Sequence, residues 1–425
     1  MNSSSKILLD RLIAKPIAFL LNLIAWPLGQ IISYDHSDSP EKVHTIAIAK
    51  LLGMGSILRA TPMIRALKTK YPKARYLFIT TFKNKALIER LELFDIHLYI
   101  RDTSFLNIFF DVLFLLPRLW HYKIDLYFDL EVYSAFSTIL ATLSLARNRY
   151  GFYIANTNFR RELHTHLVYF NDYRQISSIY FQFARACGID KGDFGIEKPV
   201  LKDELKVEFL KAMQKNKFPE TIPYIIINPN ASDLLLERRW PMEYFVSLID
   251  ALVIDWPNPI FILGSPDERN YSRVCWGKLS DKAKKNVVDL SGEVSFGAAM
   301  VFINKARLMI TNDSGLYHIA ASFKIPMISL WGPGRPEHYA DTDTRVDSFV
   351  FYSPDIYCSP CIYRTDFPPC RGNNVCMKSI PPKEVYKKAC ELLKINADAN
   401  TSVMDRIFET QKNKKFDIII KHSGY

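Results

Sequence analysis

From residue 44 onward, short apolar runs alternate with longer stretches whose apolar positions recur every three or four residues. The runs 46–49, 76–80, 97–100 and 124–130 have strand length and polar flanks, which predicts strands. The stretches 57–70, 83–91, 105–120 and 133–147 carry helical spacing. A charged helix is expected over 205–217, joining two halves. The alternation then resumes, with strands expected at 224–227, 259–263, 287–290, 308–311 and 327–330. Strand–helix repetition predicts parallel sheets, and two separated sets predict two α/β units. No internal repeat or low-complexity segment interrupts the pattern.

Ahead of it, 16–34 (PIAFLLNLIAWPLGQIISY) carries no charge over 19 positions, barely the length of a bilayer span. Pro16, Asn22, Pro27, Gly29 and Gln30 argue against a clean spanning helix. Lys6, Arg11 and Lys15, with Trp26 and Tyr34, suit a segment lying in the headgroup region of a membrane. A true span and a helix packed on its own protein are the alternatives. Residues 35–42 (DHSDSPEK) read as a polar linker, which makes the segment separable from the folded domains. No A-x-A site follows the apolar stretch, so a cleaved signal peptide is not expected and a cytoplasmic location is. The expected division is 1–40 for the amphipathic segment and linker, 41–204 and 205–395 for two Rossmann-like domains, and 396–425 for a charged, weakly patterned tail.

Composition narrows the partners. A chain of 425 residues exceeds one ordinary core, and 48% hydrophobic residues suffice for two. The net charge of +11 calls for an anionic partner: nucleic acid, anionic lipid or phosphorylated glycan. Dispersed Lys and Arg, without a nucleic-acid-binding signature, argue against the first. Of seven Cys, Cys187, Cys275 and Cys390 sit in helix-like contexts as small buried hydrophobes. Cys358-x2-Cys361-x8-Cys370-x5-Cys376 lies in a Pro- and Gly-rich loop; structural zinc, free thiols and disulfides all stay open, and no metal site is assigned. His121, His164 and His166 have no partners at metal-ligand spacing and read as surface or core residues.

The most informative string is 311–333, TNDSGLYHIAASFKIPMISLWGP. It reads as a strand end, a turn with Asp313 and Ser314 as helix-capping residues and Gly315 as an open backbone position, then a helix and a second strand. Backbone N–H groups at such a helix start attract phosphate, and loops on the carboxyl edge of a parallel sheet are where open α/β folds bind ligands. A merely capped helix start is the plain alternative for the turn alone.

The whole string resembles a run found in glycosyltransferase family 9, the lipopolysaccharide heptosyltransferases: D-[ST]-G-x-x-H-x-A-A-x-x-x-x-P-x-x-x-x-[FWY]-G-P. Here that run is Asp313, Ser314, Gly315, His318, Ala320, Ala321, Pro326, Trp331, Gly332 and Pro333. Residues 46–65 (IAIAKLLGMGSILRATPMIR) are similar to the family's first strand, Gly-rich loop and helix. Residues 226–245 (IINPNASDLLLERRWPMEYF) are similar to its R-W-P-x-x-x-F element. The resemblance implies a GT-B fold, with two Rossmann-like domains, a central cleft and a C-terminal helix, here within 403–421 of the tail 396–425, that crosses back to the first domain. It implies transfer of a sugar, ADP-heptose being the first donor to test, to a lipopolysaccharide or other lipid-linked glycan acceptor with inversion. It also implies work at the inner face of a bacterial membrane, without a cofactor. A different sugar donor and a catalytically inactive binding protein are the rivals.

On this reading, Asn230, Ser232, Arg238, Arg239, Asp313, Ser314, Gly315 and His318 bind the donor, and the arginines balance the leaving diphosphate without a metal. Asp289 falls where the family contacts the ribose. A solvated surface pair is the alternative for Arg238 and Arg239, and a capping or surface carboxylate for Asp289. The acceptor-side loop is Lys50, Gly53, Gly55 and Ser56. The family pattern K-x-x-x-[GM]-G-D ends in an Asp general base, and this chain has Ser56 there. A lone Ser hydroxyl is no base near neutral pH. Glu131, at the end of the expected strand 124–130, is the proposed replacement, with Asp129 second and helix capping as Glu131's alternative role.

Overall fold

The computed structural model describes residues 3–31, 35–231, 235–340, 347–362, 364 and 368–395. The chain divides into two compact units, Met1–Val200 and Leu201–Tyr425. In the first, β1 (Thr45–Ala49), β2 (Arg75–Thr81), β3 (Ile96–Ile100), β4 (Leu126–Asp129), β5 (Asn148–Tyr153) and β6 (His166–Tyr169) form one sheet in the order β3-β2-β1-β4-β5-β6. Every pairing is parallel. All five residues of β1 are buried, as expected of a central strand covered on both faces. Two strands, β5 and β6, and the helix Ile176–Ala186 lie where no element was expected. The helix expected over 133–147 is shorter, Ala135–Leu143, because Ser134 caps its start and the chain must turn into β5.

The second unit repeats the plan. Its strands are β7 (Ile225–Asn228), β8 (Ile260–Ile262), β9 (Val287–Asp289), β10 (Leu308–Asn312), β11 (Met327–Leu330) and β12 (Ser348–Phe351). Their order is β12-β11-β10-β7-β8-β9, again all parallel. Strand β12 was not anticipated. The charged helix expected to join the halves is Asp203–Lys215, and it belongs to this unit. Leu205, Phe209 and Met213 point inward, and Phe209 meets Phe302 edge to face at 4.7 Å. The expected tail 396–425 lies outside the described residues.

The N-terminal segment forms the helix Ser3–Leu9, a π-turn Asp10–Ala14 and the helix Lys15–Ile31. Its small residues Ala14 and Ala18 pack against Ala135, Phe159 and Leu163. Asp10 accepts hydrogen bonds from Ser134 Oγ, Ala135 N and Phe136 N, at 2.9–3.0 Å, and so caps the helix Ala135–Leu143. Asn22 donates to Phe159 O and accepts from Glu162 N. The segment is therefore stitched to its own domain along one side, while Leu12, Phe19, Leu20 and Leu23 face outward. Residues 35–42 are not a free linker either: the His36 ring lies 2.7 Å from Asn148 Oδ1, and Tyr71 donates to Asp38. Among the described residues no helix is long and apolar enough to cross a membrane.

Candidate active site at the sheet switch points

In each unit the first strand lies between the second and the fourth. Connections leave it in opposite directions there, and the gap at the carboxyl ends is where doubly wound sheets hold ligands. In the first unit this switch point falls between β1 and β4, which carry the loop 50–56 and Glu131.

The loop is clasped from both sides. Glu131 Oε2 accepts from Lys50 Nζ at 2.8 Å, and Oε1 accepts from Leu51 N at 2.7 Å and Leu52 N at 2.8 Å. From β2, Thr80 Oγ1 donates to Lys50 O and Thr81 Oγ1 to Leu51 O, and from the turn after it Asn84 Nδ2 also donates to Leu51 O. Gly53 then takes φ +84°, and a Cβ there would lie 3.3 Å from Ser56 Oγ, so glycine suits the turn on both counts. The helix Met54–Lys70 starts with no side-chain cap. Gly55 and Ser56 lie in its first turn; Ser56 N donates to Gly53 O at 2.9 Å, which leaves the Gly55 N–H for an anion or an acceptor. Tyr180 reaches this point from the helix Ile176–Ala186 and hydrogen-bonds Ser56; burial raises its phenol above the ordinary range. Lys50 and Glu131 are both buried. Three hydrogen bonds to Glu131 leave one acceptor position on Oε2.

Asp129, the second choice of base, is fully buried and cannot meet an acceptor. Its Oδ1 accepts from Ser137 Oγ at 2.5 Å and from Glu131 N at 3.1 Å. Its Oδ2 lies 3.3 Å from Arg160 and 3.4 Å from His164. Burial pushes this carboxyl up, but Arg160 and His164 outweigh it and hold it below the usual range. His164 is also fully buried, and desolvation lowers it despite Asp129. This cluster underpins the strand end that presents Glu131. His164 read as surface or core; Arg160 carried no signal, because its partner lies 31 residues away in sequence.

In the second unit the switch point falls between β7 and β10. Asn228 Nδ2 donates to Thr311 Oγ1 at 3.1 Å and Ser314 Oγ at 2.9 Å. Asn312 Nδ2 donates to Pro229 O and Asn230 O, and its Oδ1 accepts from Trp240 N. Asn230 Nδ2 donates to Ser272 Oγ, and a Cβ on Gly264 would come within 2.6 Å of that amide. Ser314 caps the helix Gly315–Phe323 by accepting from Tyr317 N. Arg238 Nη1 stands 3.6 Å from Asp313 Oδ2, both side chains being about nine-tenths buried. Burial raises the Asp313 carboxyl, against the pull of Arg238. Arg239 donates to Ala231 O and covers the Tyr271 ring at 4.3 Å. The arginines are thus built into the loop and are not a solvated surface pair.

His318 is buried beside Tyr317. Asp289 ends β9 and accepts from Ser291 N, a local turn bond. Ser232 lies outside the described residues. Asn228 and Asn312 went unremarked in the sequence, although N-P-N and T-N-D-S-G hold them in plain view. All seven Cys are free thiols, and no group of three or more His, Cys, Asp or Glu among the described residues is arranged to hold a metal.

Two doubly wound parallel sheets of this kind define a GT-B α/β protein. The profile of glycosyltransferase family 9 (heptosyltransferase) matches residues 133–370, more than half of the chain, and the chain belongs to that family. It is 28% identical to lipopolysaccharide heptosyltransferase 2 of Escherichia coli (strain K12) over 161 residues, 37% of this chain and 46% of that protein. The match thus spans about half that relative's length. Lipooligosaccharide heptosyltransferase 2 of Campylobacter jejuni subsp. jejuni serotype O:2 is 25% identical over 344 residues, 80% of this chain and 96% of that one. The solved structure of E. coli ADP-heptose lps heptosyltransferase II superposes with a TM-score of 0.66 at 17% identity, over 83% of this chain and 98% of that one.

Proposed function

We propose that the protein is a glycosyltransferase that moves a heptose from ADP-heptose to a lipopolysaccharide or other lipid-linked glycan, with inversion, at the cytoplasmic face of the inner membrane. What supports this reading is that one family 9 chain has two switch points, one with hydrogen-bond donors suited to an anion and one presenting a carboxylate. The acceptor hydroxyl oxygen bonds to the anomeric carbon while the bond from that carbon to the donor diphosphate breaks. The hydroxyl proton passes to the open position on Glu131 Oε2, and the nucleoside diphosphate leaves with the electron pair. Arg238, Arg239 and the N–H groups of 315–316 take up its growing charge. Lys50 orients Glu131, and Ser56 orients the acceptor hydroxyl. A thermal-shift panel of ADP-, GDP- and UDP-sugars, followed by single-turnover transfer to a lipid-linked core glycan, tests the proposal. Stabilisation by ADP-heptose together with transfer is the expected result; stabilisation only by another nucleotide sugar sinks the heptose assignment. Ser56, standing where the family has its Asp, supports a second reading, an inactive member that binds donor or glycan. Donor binding without transfer to any acceptor would favour it.

A further inference from the structure

Two helical faces of the first unit carry large apolar side chains that the protein leaves uncovered. The N-terminal segment exposes Leu12, Phe19, Leu20, Leu23 and Trp26. The helix Phe105–Tyr122 exposes Phe105, Leu106, Phe109, Phe110, Leu113 and Phe114, the last at 69%. These six follow one another at alternating one- and three-residue spacings and form a single stripe. The opposite side of the same helix, with Leu115 and Leu119, packs on the sheet. It is apolar inside and out, and monomeric proteins rarely present so large a bare patch to water.

The two faces are neighbours. Lys6 pairs with Asp102, just before the helix Phe105–Tyr122 begins. Asp10 caps the helix Ala135–Leu143, and Trp120 Nε1 donates to Leu143 O at that helix's far end. Phe136, on the intervening helix, packs against the apolar clusters under both.

Charge identifies what covers them. The acidic groups on and between these helices are all engaged: Asp10 in capping, Asp102 with Lys6, and Asp111 with Arg101. Arg11, Arg118 and Lys123 are exposed. An apolar face with a basic rim, on a chain of net charge +11, matches a bilayer bearing anionic headgroups better than another cationic copy of itself. We propose that the N-terminal segment and the helix Phe105–Tyr122 form one two-pronged surface that lies in the headgroup layer of an anionic bilayer. This rests on the membrane reading above and adds the second prong, which holds the first unit against the lipid at two places and so limits its tilt.

The test uses the full-length protein with phosphatidylcholine vesicles, with and without phosphatidylglycerol, in a flotation assay. The unaltered protein should bind the anionic vesicles, and brominated lipid should quench Trp120, as judged by comparison with Trp120→Phe. The double substitutions Phe110→Asp/Phe114→Asp and Leu20→Asp/Leu23→Asp should each weaken binding roughly tenfold or more, because exposed apolar area is what the lipid buries. Both pairs are exposed, so thermal melts should match the unaltered protein. Wild-type binding by Phe110→Asp/Phe114→Asp, with loss in the other variant, overturns the second prong and leaves the membrane reading intact. No vesicle binding by the unaltered protein overturns both. A dimer in sedimentation that Phe110→Asp/Phe114→Asp breaks, with no vesicle binding, assigns the face to a second copy instead.

Discussion

The two units share one topology and put opposite chemistry at the same topological place. At the β1/β4 switch point a carboxylate, Glu131, is the centre, and donors converge on it from Lys50, Leu51 and Leu52. At the β7/β10 switch point the centre is a web of amides and hydroxyls, Asn228, Thr311, Asn312 and Ser314, with Arg238 and Arg239 beside it. The foundations differ too. A fully buried ionic cluster, Asp129–Arg160–His164, supports the first. Neutral hydrogen bonds support most of the second. Topology decides where a site can be; side chains decide whether it takes a proton or holds an anion.

The comparison breaks first at Glu131. Glu131→Gln keeps the shape and an acceptor for Leu51 N and Leu52 N, but it loses the Lys50 ion pair together with the basicity, so turnover should fall about 10²–10⁴-fold with nucleotide affinity nearly unchanged. Near-full turnover would reduce Glu131 to a clasp for the loop, an outcome that a raised KM at constant kcat would mark. Asp129→Ala attacks the foundation. It strands Arg160 without its carboxylate and should cost about 3–5 kcal/mol in chemical denaturation. A loss under 1 kcal/mol would show that the cluster bears little weight.

In the second unit, Arg239→Ala should weaken nucleotide binding by about 1–3 kcal/mol, read by calorimetry. Unchanged affinity in both Arg238→Ala and Arg239→Ala would remove the pair from the diphosphate site.

Acid gives the smallest and most selective contrast. His164 is held below its ordinary value, so on acidification the unfolded chain takes a proton before the folded one does, and stability falls as pH drops through the ordinary His range. Asp129, held low, extends the loss into the carboxylate range. Asp313 is raised, so the folded state takes its proton first, and acidification favours the fold there. Hydrogen exchange at falling pH should therefore show the first unit loosening before the second. The reverse order contradicts these assignments.

The sequence displayed the elements nearest both sites. Strands β1, β4, β7 and β10 are short apolar runs buried on both faces, and such runs stand out from their flanks. Strands β5, β6 and β12 did not show, for a common reason. NRYGFY, HLVY and SFVF mix polar and aromatic residues, and β6 and β12 are sheet edges with exposed positions. The proximity of Glu131 to the loop followed from parallel strand order, which puts carboxyl ends together. The clasp on Leu51 and Leu52, and the Arg160 beneath, depend on partners far away in sequence, and no local pattern records them.

The capping of one helix by Asp10 bears on modularity. A leading amphipathic helix followed by a polar stretch invites removal as a detachable tag. Here the cut would also take away the carboxylate that receives Ser134 Oγ and the N–H groups of Ala135 and Phe136. Those N–H groups begin the helix that follows Glu131. The N-terminal segment is therefore a part of the domain's own architecture, and a shortened version needs a substitute acceptor at that helix start before it can report on the enzyme alone.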